Sequence, residues 1–261
     1  MWEALLFGIV SVGLILSISW FAPIFSIRSF RSSFWQRFLL ILTPIICFGF
    51  LWIALSCRAS PDIRGDPVYV YVYFSAGVLA FLAAISCAGF LGFSFIDDAL
   101  QKGNWGSGFA LAGATLGFML CYAGSNIGQG PGPAVVLFCS LLSVGALAIL
   151  WLLLELFSSP SVSENITVER EYWAGFRLFL WLLSLGIVLG SSVAGNWNSA
   201  AAALMDLGRY GWPAIALFVF ALVFERILVR KRVSGTKALL VSLAVGVFYV
   251  GSALAWVVGN R

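Results

Sequence analysis

Few residues in this chain are placed to do chemistry. Glu155 and Arg177 fall inside apolar runs, each about one turn from the end of its segment. Their spans form a hairpin, so the two are expected either to form a structural ion pair across it or to snorkel separately to the interface, with a polar entry to a cavity as the alternative. Asp97 and Asp98 precede a helix start at Asn104. Carboxylates there complement the helix dipole, and an Asn side chain caps free N–H groups. Capping is the simpler role for all three; a metal or polyamine site at the two aspartates is the alternative. Thr167, Glu169 and Glu171 form a second acidic helix entrance further along.

What is missing narrows the chemistry further. The sequence holds no histidine, which removes His-ligated haem, His–metal sites and imidazole acid–base catalysis. Five cysteines, at 47, 57, 87, 121 and 139, show neither CxxC nor zinc spacing. Four lie in apolar runs and read as small packing residues. No span carries paired carboxylates, so no catalytic residue, cofactor or metal is expected. No basic run with interleaved aromatics points to nucleic acid. The loop Gly128-Gln129-Gly130-Pro131-Gly132 lacks the lysine and preceding strand of a phosphate loop. It is expected as a tight outer turn, with a re-entrant loop as the alternative.

The elements that would position these residues are membrane helices. Hydrophobic residues make up 61% of the chain and charged ones 10%, too apolar for a soluble domain. An outer-membrane barrel would need polar alternation that runs such as Leu147–Leu154 lack. The spacing predicts an all-α polytopic fold of eight spans: Leu5–Phe25, Phe38–Ser56, Val68–Phe93, Trp105–Ser125, Ala134–Phe157, Tyr172–Ala194, Trp212–Ile227 and Ala238–Val258. They are expected as four helical hairpins: an N-terminal one within 1–67, a two-hairpin core over 68–197 and a C-terminal one within 198–261. The alternation Val68–Tyr73 is expected to be an aromatic collar at a helix start, since an open strand edge cannot face lipid. Pro44 interrupts its span, Pro213 suits a first helical turn, and Asn198–Leu207 suits a short surface helix.

Basic residues orient the spans. Odd-numbered loops and adjoining helix ends hold eleven Lys and Arg, against four for even loops and termini. Cytoplasmic loops carry that excess, so both termini are expected outside. Ten of the eleven tryptophans fall near span ends, where indoles favour the interface; Trp181 is the exception.

Two segments carry ladders of small residues. Gly113, Gly117, Cys121 and Gly124 share one helical face, as do Gly186, Gly190 and Ala194. Such faces let another backbone approach closely within lipid. The piece Asn104–Leu111 also parallels Glu171–Leu178 through a shared Gly-Phe-x-Leu, and Asp97-Asp98 parallels Glu164-Asn165 at the same offset. The middle of the chain is therefore expected to be two copies of one hairpin in the same orientation.

On these motifs the block from about Val68 to Trp197 resembles a bacterial inner-membrane family of unknown function typified by the YjfL protein, built of paired helical hairpins. Asn104 through Gly117 carries the likeness, while Glu171 and Trp173 depart from it. The resemblance implies a multi-pass protein of the cell membrane with a partner or scaffold role in envelope maintenance or stress. The expected function is a non-catalytic membrane subunit that meets a protein partner or further copies of itself through its glycine faces. The alternative is a small-solute or ion pathway between the repeated hairpins.

Overall fold

A computed structural model describes residues 14, 18, 20–27, 32–129, 132–197, 199–231 and 235–260. Among the described residues there is no strand, and seven helices are long and apolar enough to cross a membrane. These are α1 (Phe34–Cys57), α3 (Pro67–Phe90), α4 (Trp105–Ser125), α5 (Pro133–Phe157), α7 (Tyr172–Ser192), α8 (Ala200–Lys231) and α9 (Gly235–Gly259). Two short helices, α2 (Pro61–Arg64) and α6 (Val162–Thr167), and a π-helical turn, Phe95–Gln101, join them. Of the expected first span, Leu14, Ile18 and 20–26 are helical, and the rest lies outside the described residues.

The two glycine-bearing helices sit at the centre. Within their most apolar stretches α4 is 83% buried and α7 67%, whereas the other five range from 28% to 44%. Those five therefore present most of their surface outward, and their exposed Leu, Ile, Val and Phe side chains are what lipid requires. On one side, α1, α3 and α5 pack on α4; on the other, α5, α8 and α9 pack on α7.

The seam between α4 and α7 is backbone against backbone. A Cβ added at Gly113 would stand 2.6 Å from the Phe179 Cα, and one at Gly117 2.6 Å from the Leu182 carbonyl oxygen. From the facing helix, a Cβ at Gly186 would meet the Gly117 carbonyl and one at Gly190 the Leu120 carbonyl. Gly106 and Gly175 touch at one end of the seam, Gly124 and Gly190 near the other. The contact order rises together along both helices, so they run in the same direction.

The starting end of the seam is tied by the same bonds taken twice. Ser94 caps the π-helical turn through the Asp97 N–H, and Ser161 caps α6 through the Glu164 N–H. The Asn104 N–H donates to the Asp98 carbonyl, and the Glu171 N–H to the Asn165 carbonyl. The Asn104 side chain then caps α4, and the Glu171 side chain caps α7. Each of these pairs stands 67 residues apart, as do Gln129 and Asn196 at the far end, where the Gln129 N–H donates to the Asn196 amide oxygen.

Several expectations need correction. Asn198–Leu207 was expected as a separate surface helix and Pro213 at a first turn, but 200–231 is one 32-residue helix with Pro213 inside it. Trp20 and Trp151 lie near span ends as expected, but both are buried. The Trp20 indole donates to the Leu40 carbonyl and stacks on Phe95, so it serves packing rather than an interfacial belt.

The 67-residue correspondence exposes one strained position. Gly103 adopts φ +63°, and its counterpart Arg170 adopts φ +55°, the single positive φ outside glycine among the described residues. A left-handed conformation costs a side-chain-bearing residue about 1 kcal/mol. Arg170→Gly is therefore expected to raise stability by up to about 1 kcal/mol, and Gly103→Val to lower it by more, read from thermal unfolding in detergent.

Candidate functional site

The charges that matter meet at the base of α7. Glu171 caps this helix by accepting from the Ala174 N–H, which fixes the first turn. Arg177 follows one and a half turns later on the buried side. Its guanidinium takes the Glu225 carboxylate in a two-pronged grip, Nε to Oε1 at 2.6 Å and Nη2 to Oε2 at 2.8 Å. The remaining amino group, Nη1, donates to the Ser242 hydroxyl at 2.9 Å. Glu171 stands 3.8 Å away as a second carboxylate. Helices α7, α8 and α9 thus each contribute one partner to a single buried cluster.

The cluster forms the floor of a cavity of about 760 Å³ between α8 and α9. Glu169 and Asn165 add polar groups at its α6–α7 side, while Leu228, Val229, Ala238 and Val241 form apolar walls. Higher in the bundle Phe220 closes the gap by packing on Phe248 and Tyr249. Burial pushes the Glu171 carboxyl above the usual carboxylate range; Arg177 and the Ala174 N–H draw it back down, and Glu225 adds to the rise.

The expected pairing of Glu155 with Arg177 is not what forms. Glu155 accepts from the Ser163 N–H at 2.9 Å and so anchors α6 to the end of α5. Arg177 is already satisfied by Glu225. Glu225 was missed because it adjoins Arg226 and so resembles the charged end of a span. The signal was present in the spacing. Ala214, Leu217, Ala221 and Leu228 are the buried stripe of α8, and Glu225 stands on it.

The polar candidates Asp97, Asp98 and Asn104 fall at the same end of the bundle as Arg177 but outside its cluster. Asp98 is buried rather than solvated, accepting from the Ser94 N–H and from the Lys102 ammonium at 2.7 Å. Asp97 accepts from the Ser94 hydroxyl. Asn104 does more than cap α4, for its side-chain amide also donates to the Ile166 carbonyl across the seam at 2.7 Å. Gly113, Gly117, Gly124, Gly186 and Gly190 all spend their faces on the seam. Among the described residues no group of three or more His, Cys, Asp or Glu side chains is placed to hold a metal ion.

Fold and site together define a multi-pass helical membrane protein whose buried charges join helices to one another. The chain matches no protein-family model, no curated protein and no solved structure.

Removing one partner from such a pair strands the other in an apolar setting, at a cost of about 3–5 kcal/mol, whereas replacing both with apolar residues is close to neutral. Arg177→Met or Glu225→Leu alone is expected to destabilise the protein by that amount. The Arg177→Met/Glu225→Leu double variant is expected to recover most of it, as read by a double-mutant cycle on the unfolding midpoint in detergent.

Proposed function

We propose that this protein is a non-catalytic scaffold subunit of a cell membrane, working through contact rather than through passage of a solute or turnover of a substrate. One observation carries this reading. The α4–α7 seam brings backbone to backbone from Gly106–Gly175 to Gly124–Gly190, which leaves no room for a solute between the two halves of the core. A ladder spent this way builds a rigid centre, so partners or further copies would meet the outward faces of α1, α3, α5, α8 and α9 instead. The recurrence of the same caps at a 67-residue offset supports a duplicated hairpin in the middle of the chain. It also agrees with the likeness to the YjfL-like family, which remains part of this proposal together with an inner-membrane location and both termini outside.

A solute pathway is the second reading, and the polar-floored cavity between α8 and α9 is the observation that favours it. The two readings part on flux. Purified protein in proteoliposomes is expected to pass Na⁺, K⁺, Cl⁻ and small amines no faster than empty vesicles, and to migrate as a stable oligomer or with a co-purifying protein after gentle solubilisation. Flux above the empty-vesicle rate that falls in Glu225→Gln would replace the scaffold reading with the pathway.

A further inference from the structure

The cavity over Arg177 lies close to the helix ends. Leu228 and Val229 belong to the last turn of α8, Ala238 to the first turn of α9 and Val241 to its second. The ends of membrane helices stand at the level of lipid headgroups, so apolar walls and a polar floor meet at that depth. The volume of about 760 Å³ falls within the roughly 300–1,000 Å³ range of small-molecule sites.

The charges of this lining do not balance. Among its described residues three carboxylates, Glu169, Glu171 and Glu225, stand against one guanidinium, Arg177. Glu225 is spent, since both its oxygens accept from Arg177. Arg177 is spent too, with Nε and Nη2 on Glu225 and Nη1 on Ser242, so an incoming anion would have to displace one of them. Glu171 is different. Its side chain is 35% exposed, and its partners are the Ala174 N–H and, at 3.8 Å, a guanidinium already held by Glu225. A carboxylate has about four acceptor positions, so Glu171 keeps capacity for a donor from outside the chain. Glu169, two residues earlier, is exposed on the same cavity. No aromatic ring lines the cavity among the described residues, and aromatic faces are what recognise a quaternary ammonium. A primary ammonium needs none, for its three N–H donors go to carboxylates while its carbon chain lies on an apolar wall. The chain is also basic next to these walls, at Arg230, Lys231, Arg232 and Lys237, which suits a phosphate carried by the same ligand.

We propose that this cavity binds a primary ammonium group, which donates to the Glu171 and Glu169 carboxylates while the attached carbon chain lies along Leu228 and Val241. The ammonium arrives either as the headgroup of phosphatidylethanolamine or on a free small amine. The proposal stands on the cavity and is independent of the scaffold reading, since a ligand that binds without crossing leaves that reading intact and neither flux nor oligomeric state enters the test.

The test uses full-length protein in phosphatidylcholine nanodiscs, with labelled ethanolamine in solution or a minority of phosphatidylethanolamine in the disc as probes. Retained lipid is read by native mass spectrometry. Saturable binding of ethanolamine at about 1 mM or tighter, weakened about tenfold or more in Glu171→Gln, supports a free-amine site. Enrichment of phosphatidylethanolamine over phosphatidylcholine without ethanolamine binding, lost in the same variant, supports a headgroup site. Gln keeps an oxygen to cap α7 and removes only the charge; if Glu171→Gln nevertheless fails to fold, Glu169→Gln at the exposed side decides in its place. Asp97→Asn, which removes an exposed carboxylate outside the cavity, is expected to change neither readout. Four results overturn the proposal: neither probe held saturably; choline or phosphatidylcholine held as well as its ethanolamine counterpart; binding that the deciding variant leaves unchanged; and an equal loss in Asp97→Asn.

Discussion

Inside a bilayer, a leucine packed against a neighbouring helix has been taken from lipid rather than from water, so the hydrophobic effect does little to hold helices together. Close approach has to supply the attraction. In this chain the approach is the α4–α7 seam, where glycines on each helix meet the backbone of the other along nearly the whole length. Everything else is arranged around it. Five outer helices lie against the pair and stay mostly exposed. A side chain at any seam position would push the two backbones apart, and with them the caps at both ends.

The seam also accounts for the polar bonds that look surplus. Two helices running side by side in the same direction bring both sets of starting N–H groups to one end, where no lipid group can satisfy them. Asn104 and Glu171 cap them in turn, and the Asn104 amide goes on to the Ile166 carbonyl, so the cap of one helix is also its tie to the other. Where the proposed copies differ, the difference follows the surroundings. Asn104 in the first copy is buried against α6, and a neutral amide suits that place. Its counterpart Glu171 borders the cavity that holds Arg177, where a carboxylate gains a second partner.

Much of this was legible in the residues, and the reasons for the rest are specific. Glycines at steps of three and four marked two close-packing faces, although not that each would be spent on the other, and Asn104 with its acidic prelude marked a helix start, because both depend on local spacing. The ends of α4 and α7 agree with the expected spans for the same reason. Pro213 misled because a proline within a long membrane helix looks locally like a proline at its start, and only neighbouring helices decide which it is. Glu225 was hidden by its neighbour Arg226, which reaches back to the Phe157 carbonyl while Glu225 turns inward. A pair such as Arg177 and Glu225, separated by 48 positions, is set by which helices share a neighbour. Spacing along one helix carries no trace of that.

The two ends of the bundle are consequently unlike in kind. At the Arg177 end, α8 and α9 are joined to α7 by charge and hydroxyl contacts and stand apart over a wide cavity. At the other end the connections are laced by backbone hydrogen bonds over a smaller pocket. A backbone lattice depends little on which side chains it carries. The charge cluster has no such freedom, since each member holds another in place. Between the two ends the seam admits nothing. Events at one end can therefore reach the other only by moving whole helices.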